Sequence, residues 1–89
     1  MPTICMFYGI IIFMFFEVRE KHHLPHIHAR YQGQKASIAI EDCRVLSGSL
    51  PPKQLRMVQV WIDLHRDELL ANWELATQGI EPFRIDPLR

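Results

Sequence analysis

The chain has 89 residues with ten basic and ten acidic side chains, so its formal net charge is zero when the histidines are neutral. That length fits one domain, residues 1–89, and the 48% apolar and 22% charged content is that of a globular chain rather than a disordered one. The balance of charge excludes a protein that grips nucleic acid chiefly by neutralising phosphates over its whole surface.

Thr3 to Tyr8 and Ile10 to Val18 are rich in β-branched and aromatic residues and flank Gly9. This predicts two strands, or one long strand bent at a bulge, with both faces covered by protein. The uncharged run Ile4 to Phe16 is too short for a spanning helix and lacks the flanks of a signal peptide, so buried strands are expected there and no membrane segment. Arg19 to Leu24 is polar and runs into Pro25, which predicts a loop feeding an extended stretch. From His26 to Tyr31 the residues alternate, with Ile27 and Ala29 on one side and His26, His28 and Arg30 on the other. Tyr31-Gln32-Gly33-Gln34 supplies a turn, and Lys35 to Ile40 alternates again through Ala36, Ile38 and Ile40, completing an antiparallel hairpin. Glu41-Asp42 starts another turn and Arg44-Val45-Leu46 is a short further strand.

The pattern changes at Ser47-Gly48-Ser49-Leu50-Pro51-Pro52. Ser49 is the expected N-cap, with the prolines in the first helical turn. Leu55, Val58, Ile62, His65, Leu69, Trp73 and Ala76 then step by three or four along one helical stripe, widened by Met57, Trp61, Leu64 and Leu70. No Gly or Pro interrupts Lys53 to Gln78, although the polar patch His65-Arg66-Asp67-Glu68 can bend the helix or split it. Gly79 is a C-terminal cap, and Phe83-Arg84-Ile85 is expected to return as a short edge strand. The fold class is α+β: a small antiparallel sheet, made of the N-terminal strands plus the hairpin, packed against a long or bent C-terminal helix. Trp61 and Trp73 are expected in the core, and Asp63, Asp67, Glu68 and Glu74 on a solvated helix face. Cys5 and Cys43 have no Cys-x-x-Cys spacing and read as reduced thiols of a cytoplasmic protein.

Four of the five histidines, His22, His23, His26 and His28, fall within seven positions. Imidazole both ligates transition metals and titrates near neutral pH, so chemistry is expected here. On a strand, His26 and His28 project from one face about 7 Å apart, close enough to share a metal ion such as zinc. His22 or His23 can close that site from the loop, which makes His23, His26 and His28 the candidate ligands; Glu17, Glu20, Asp42 or His65 are candidates for a fourth. Without metal, the pair His26 and His28 is a candidate acid and base for cleaving RNA, with Arg30 or Lys35 stabilising charge on phosphate. The plainer reading is that the two imidazoles bond to backbone or carboxylate groups and lock the loop after Pro25. Arg19, Lys21, Arg30 and Lys35 flank the cluster, against Glu17 and Glu20. Nothing matches a phosphate-cradling glycine loop, a nucleophile elbow or a dinucleotide fingerprint.

Met1-Pro2-Thr3 opening an apolar strand with Gly9, then Pro25-His26-Ile27-His28, then a helical tail with Leu69-Leu70 and Trp73, resemble the small bacterial proteins grouped as domain of unknown function 4160. The resemblance spans essentially the whole chain, and its most specific part is Pro-His-apolar-His. It implies no established activity. It implies a small cytoplasmic protein encoded beside another small protein, of domain of unknown function 2442, in an arrangement similar to toxin and antitoxin operons. The chain departs from the family pattern in carrying no basic residue from Cys5 to Phe16. The expected function is therefore that of a toxin-like interaction member of a two-gene module, with the histidine strand as its functional face. A metal-independent ribonuclease or a histidine-ligated metal enzyme on that same face is the alternative. The expected partner is the neighbouring small protein, with RNA or a second copy of the chain as further candidates.

Overall fold

The structure is a computed structural model that describes residues 3–16 and 24–89. Five strands run β1 (Thr3–Phe7), β2 (Ile10–Phe13), β3 (His26–Tyr31), β4 (Gln34–Ala39) and β5 (Val45–Gly48), followed by helices α1 (Pro52–Leu64) and α2 (Arg66–Thr77). The strands form one sheet in sequence order with every neighbour antiparallel. This is the expected α+β class, and three of the four connections, of two to five residues, are too short for a parallel crossover, while the twelve residues between β2 and β3 leave that pairing to the strands themselves.

Two of those turns have the same construction. Tyr8-Gly9 and Gln32-Gly33 place two successive residues at positive φ, 48° and 78° in the first and 45° and 81° in the second. That is the signature of type I′ hairpin loops, whose twist matches that of the strands they join, and glycine supplies the second position without a Cβ penalty. The two-residue loop at Gln32-Gly33 fixes the register of β3 against β4: Tyr31 faces Gln34, Arg30 faces Lys35, His28 faces Ser37 and His26 faces Ala39. Gly48 answers a different demand. A Cβ there would lie 2.1 Å from the Lys35 carbonyl oxygen, so β5 can come this close to β4 only with glycine.

Directly paired residues point to the same side, so the register sorts the sheet into two faces. Cys5, Ile12, Ala29 and Ala36 form one row of the first face, and Ile27, Ile38 and Val45 form another. These meet Val58, Trp61, Ile62, Leu69 and Trp73 from the helices in a single core cluster. Trp61 is fully buried, packs its ring 5.6 Å from that of Phe7, and donates its indole N–H to the carbonyl of Asp86 at 2.8 Å. The expected packing of Ile27, Ala36, Ile38 and Ile40 against Leu55, Val58, Ile62 and Leu69 is present. Among the described residues, no helix is long and apolar enough to cross a membrane.

Several expectations need correction. The single helix is two helices: His65 has φ −121° and ψ 24°, and its N–H is shared between the Trp61 and Ile62 carbonyls. The break is stabilised on its far side, where Asp67 and Glu68 occupy the first turn of α2 and the His65 ring reaches Glu68 at 2.7 Å. Ser49 does not cap α1; its N–H donates to Lys35 instead, and Pro51 holds the cap position with Pro52 beginning the helix. Leu64, placed on the core stripe, is 66% exposed, at the last position of α1 before the break. Residues 83–85 form no strand. The buried Asn72 side chain instead clamps both backbone groups of Phe83, at 2.8 and 3.0 Å, and the Ile85 N–H donates to the carbonyl of Ile4 beside β1. β2 ends at Phe13, short of the expected Val18, while Met14 leaves the ladder fully buried; residues 17 and 18 lie outside the described residues.

Candidate functional site

The second face of the sheet is left open by the described helices at Met6, Arg30 and Lys35, which are exposed, and is touched by α2 where Trp73 meets His26; the histidine strand looks onto it. Its rows follow from the register. Met6, Ile11, Arg30 and Lys35 are successive partners across β1 to β4, and Thr3, Phe13, His28, Ser37 and Ser47 are successive partners across all five strands. His26, two residues from His28, lies on the same face opposite Ala39. Ile27 points the other way and is fully buried in the core. The alternation after Pro25 thus places both imidazoles together, as expected.

The expected polar face is, however, covered around these two rings. His26 is completely buried and His28 half-buried, while Arg30 is exposed. The covering is aromatic. Phe15 lies 4.4 Å from the His28 ring at an interplanar angle of 4°, Phe13 lies 5.4 Å away at 12°, and Trp73 lies 5.1 Å from His26. The two imidazoles themselves meet edge to face, with ring centres 5.0 Å apart at 71°. β2 and the residues just after it supply Phe13 and Phe15. The uncharged run that reads in sequence as strand core therefore also builds the histidine environment.

Each imidazole is held at its Nδ1. His26 donates from Nδ1 to the carbonyl oxygen of Leu24 at 2.7 Å, which locks the start of β3 to the residue before Pro25. His28 shares a 3.2 Å hydrogen bond between Nδ1 and the Ser37 hydroxyl, its direct cross-strand partner. The Nε2 atoms of both rings are shielded from solvent. Burial, and then the nearby His26 and Lys35 charges, push the His28 pKa from 6.5 down to about 4, so His28 is neutral at physiological pH. In this state it can accept a proton or ligate a metal, but it is a poor proton donor.

Of the other expected residues, His22 and His23, with Glu17 and Glu20, lie outside the described residues. Among the described residues, no three His, Cys, Asp or Glu side chains gather in an arrangement that could hold a metal ion. His65 and Asp42 are engaged elsewhere, His65 with Glu68 and Trp61, and Asp42 with the backbone N–H of Arg44. Phe13, Phe15, Ser37 and Trp73 belong to the site; Trp73 was expected only as core, and the other three had no expected site role. The signal for Ser37 was present in the two-residue Gln32-Gly33 loop, which dictates that position 28 faces position 37.

A second polar cluster ties the helices to the sheet. Arg66 donates through Nε to the carbonyl of Ile40, through Nη2 to the Cys43 sulfur at 3.4 Å, and pairs with Asp63 at 2.7 Å. Gln59 donates to the Cys43 carbonyl. Burial, then Asp63, raises the Cys43 pKa, and burial raises that of Cys5, so both remain thiols at neutral pH; neither forms a disulfide. Arg66 is a structural tie between α2 and the end of β4.

A family model described as Domain of unknown function (DUF4160) matches residues 9–74. The chain belongs to this family. The matched stretch runs from the Tyr8-Gly9 loop into α2 and contains His26, His28, Arg30, Lys35 and Ser37. Comparisons with curated proteins and with solved structures gave no match.

Proposed function

We propose that this DUF4160 protein is a small bacterial cytoplasmic protein that acts by protein–protein association, as the toxin-like member of a two-gene module, with the open face around β3 as its functional surface. The observation that carries this reading is the asymmetry of the sheet. One face is sealed by α1 and α2, whereas on the other Met6 is 56% exposed and Ile11 half-buried in a row with two exposed cations. An apolar strand surface left open in a small sheet is a liability unless something covers it. The partner on this reading is a small protein encoded beside it, similar to domain of unknown function 2442 proteins. The test is expression of the chain with and without that neighbour. Growth arrest by the chain alone, relief on co-expression and co-purification of the pair support it; no growth effect together with no complex at micromolar concentrations overturns it.

A second reading places chemistry on the same face, and the 5.0 Å separation of the His26 and His28 rings favours it. Two imidazoles bound to one tetrahedral zinc ion at about 2.0–2.1 Å from each nitrogen have ring centres roughly 5 Å apart. The Nδ1 contacts of both rings are the outer contacts that hold a ligating imidazole in place. In this reading His23 is the third ligand. The same pair could instead serve RNA cleavage, with neutral His28 as base, His26 as acid and Arg30 on the phosphate. Metal content and RNA-cleaving activity of wild type and of the His26→Gln/His28→Gln variant decide: loss of stoichiometric zinc or of cleavage in a folded variant supports chemistry, and their absence from wild type excludes it.

A further inference from the structure

The cations of the open face are placed in an arrangement that costs stability. Arg30 and Lys35 are directly opposite each other in the β3–β4 ladder, both exposed. Like charges at directly opposed positions repel, and in a chain of zero net charge a carboxylate would be an equally available choice at either site. The ion pairs His65–Glu68 and Arg66–Asp63 lie at the junction of the two helices and not on this row. The neighbouring row, Thr3, Phe13, His28, Ser37 and Ser47, brings no carboxylate to the face either. The other half of the row is apolar, with Met6 opposite Ile11 and Ile11 opposite Arg30. Four strands spaced about 4.8 Å apart make the row roughly 14 Å long, the reach of four or five extended residues.

We infer that the Met6–Ile11–Arg30–Lys35 row is a docking surface for an acidic segment of another protein, one whose carboxylates meet the two cations and whose apolar side chains cover Met6 and Ile11. The inference rests on association as this chain's mode of action and names the chemistry of the partner. Charge complementarity selects the occupant. A second copy packed about a two-fold axis through the middle of the row would set Arg30 and Lys35 against Met6 and Ile11 of its mate and leave the cations without carboxylates. On this row RNA would meet two cations among the described residues, on a protein of zero net charge, and the Met and Ile half of the row offers nothing to phosphate. The edge of β1 is met by Ile85 at Ile4, so the segment lies across the face of the sheet and does not extend it as a sixth strand at that point.

The test uses the full-length chain and three fluorescent probes: a short peptide with Glu and Leu interspersed in a Ser/Gly background, its Gln-for-Glu analogue, and a uridine oligonucleotide of equal charge. The Glu peptide is expected to bind at least roughly tenfold more tightly than the other two, and to weaken as salt rises through the range where surface charges are screened. Arg30→Glu with Lys35→Glu should abolish its binding and gain binding of a Lys-for-Glu peptide, a swap that loss of folding cannot mimic. Equal binding of the Gln analogue, or indifference to the double reversal, overturns the inference, and preference for the oligonucleotide overturns it in favour of RNA. The association reading is scored separately by co-purification with the neighbouring gene product. If wild type and the doubly reversed variant co-purify equally, docking on this row is wrong while association stands; if wild type fails to co-purify, association is wrong and the peptide series alone judges the row.

Discussion

The two faces of the sheet are made from alternate residues of the same strands, and they differ in what lies across from them more than in their own composition. On the helix-covered face Ile12, Ala29, Ile27 and Ile38 are completely buried. On the other, Met6 and Ile11 are as apolar as anything in the core yet stay partly in water, while His26, a polar residue, is fully buried under aromatic rings. Hydropathy read along a strand therefore tells which residues travel together, and only tertiary packing tells which of the two sets is sealed. The core face carries stability, and it is to the open face, with its opposed cations and half-covered apolar row, that we assign binding.

Removing Trp61 should break this comparison most severely. Its ring fills the core between Phe7 and the helices and its N–H anchors Asp86, so Trp61→Ala should lose about 3–5 kcal/mol, enough to unfold a domain of this size at ordinary temperature. Met6→Ala, an apolar truncation on the open face, should stay within about 0.5 kcal/mol of wild type. Urea denaturation of the two variants measures both. Similar losses would mean that the open face is part of the core in solution, for example within a dimer.

Asn72 offers a sharper version, because it lies on the core side yet acts through hydrogen bonds. Its side chain satisfies both the N–H and the carbonyl of Phe83 while 2% exposed, so Asn72→Ala should cost roughly 1–3 kcal/mol and release the C-terminal segment. Faster hydrogen exchange at Phe83 and Ile85 is the expected reading, with β3 and β4 unchanged. Uniform acceleration over the whole chain would show that the segment is not a separable unit.

The sequence carried the period-two alternation of β3 and β4, and with it the shared face of His26 and His28 and the burial of Ile27. It also carried the helical stripe. The polar patch His65-Arg66-Asp67-Glu68 marked the place of the break but did not decide between a bend and two helices, since nothing in Leu64-His65-Arg66 forbids helix and Asp67 and Glu68 favour a new helix start. That Pro51 and not Ser49 stands at the cap was not legible either: Ser49 is still tied through its N–H to Lys35, beside the close approach at Gly48, and the helix begins at Pro52. Least legible was the aromatic cover of the histidines. Phe13 and Phe15 read as strand core, and only the pairing of Phe13 with His28 reveals that they share its face.

The third prediction uses pH to probe the boundary between sealed and open regions on the second face. His28 has its pKa lowered to about 4 from 6.5, so the folded state resists taking a proton that the unfolded chain accepts. The resulting stability is fully present above about pH 6.5 and is lost as pH falls towards 4. Because His28 is only half-buried, solvent screening cuts the effect to roughly 1–2 kcal/mol. Melting temperatures between pH 7 and pH 4.5 should fall for wild type and fall less for His28→Gln. An identical decline in both would mean that other groups dominate the acid response.

The smallest effect is the one that reads the open face most directly. Lys35 stands opposite Arg30 in the ladder and also lies close enough to His28 to lower its pKa. If the cross-strand pair is an arrangement kept for binding, then Lys35→Gln removes a repulsion and should raise stability by about 0.2–1 kcal/mol at low salt, where surface electrostatics are least screened. The gain should shrink with added salt, and the His28 titration, followed by the NMR shift of its ring protons, should move upward. A surface lysine paired favourably with a carboxylate would give the opposite sign, because its removal would cost stability at low salt. The direction of that change therefore distinguishes a cation placed for a partner from one placed for the fold.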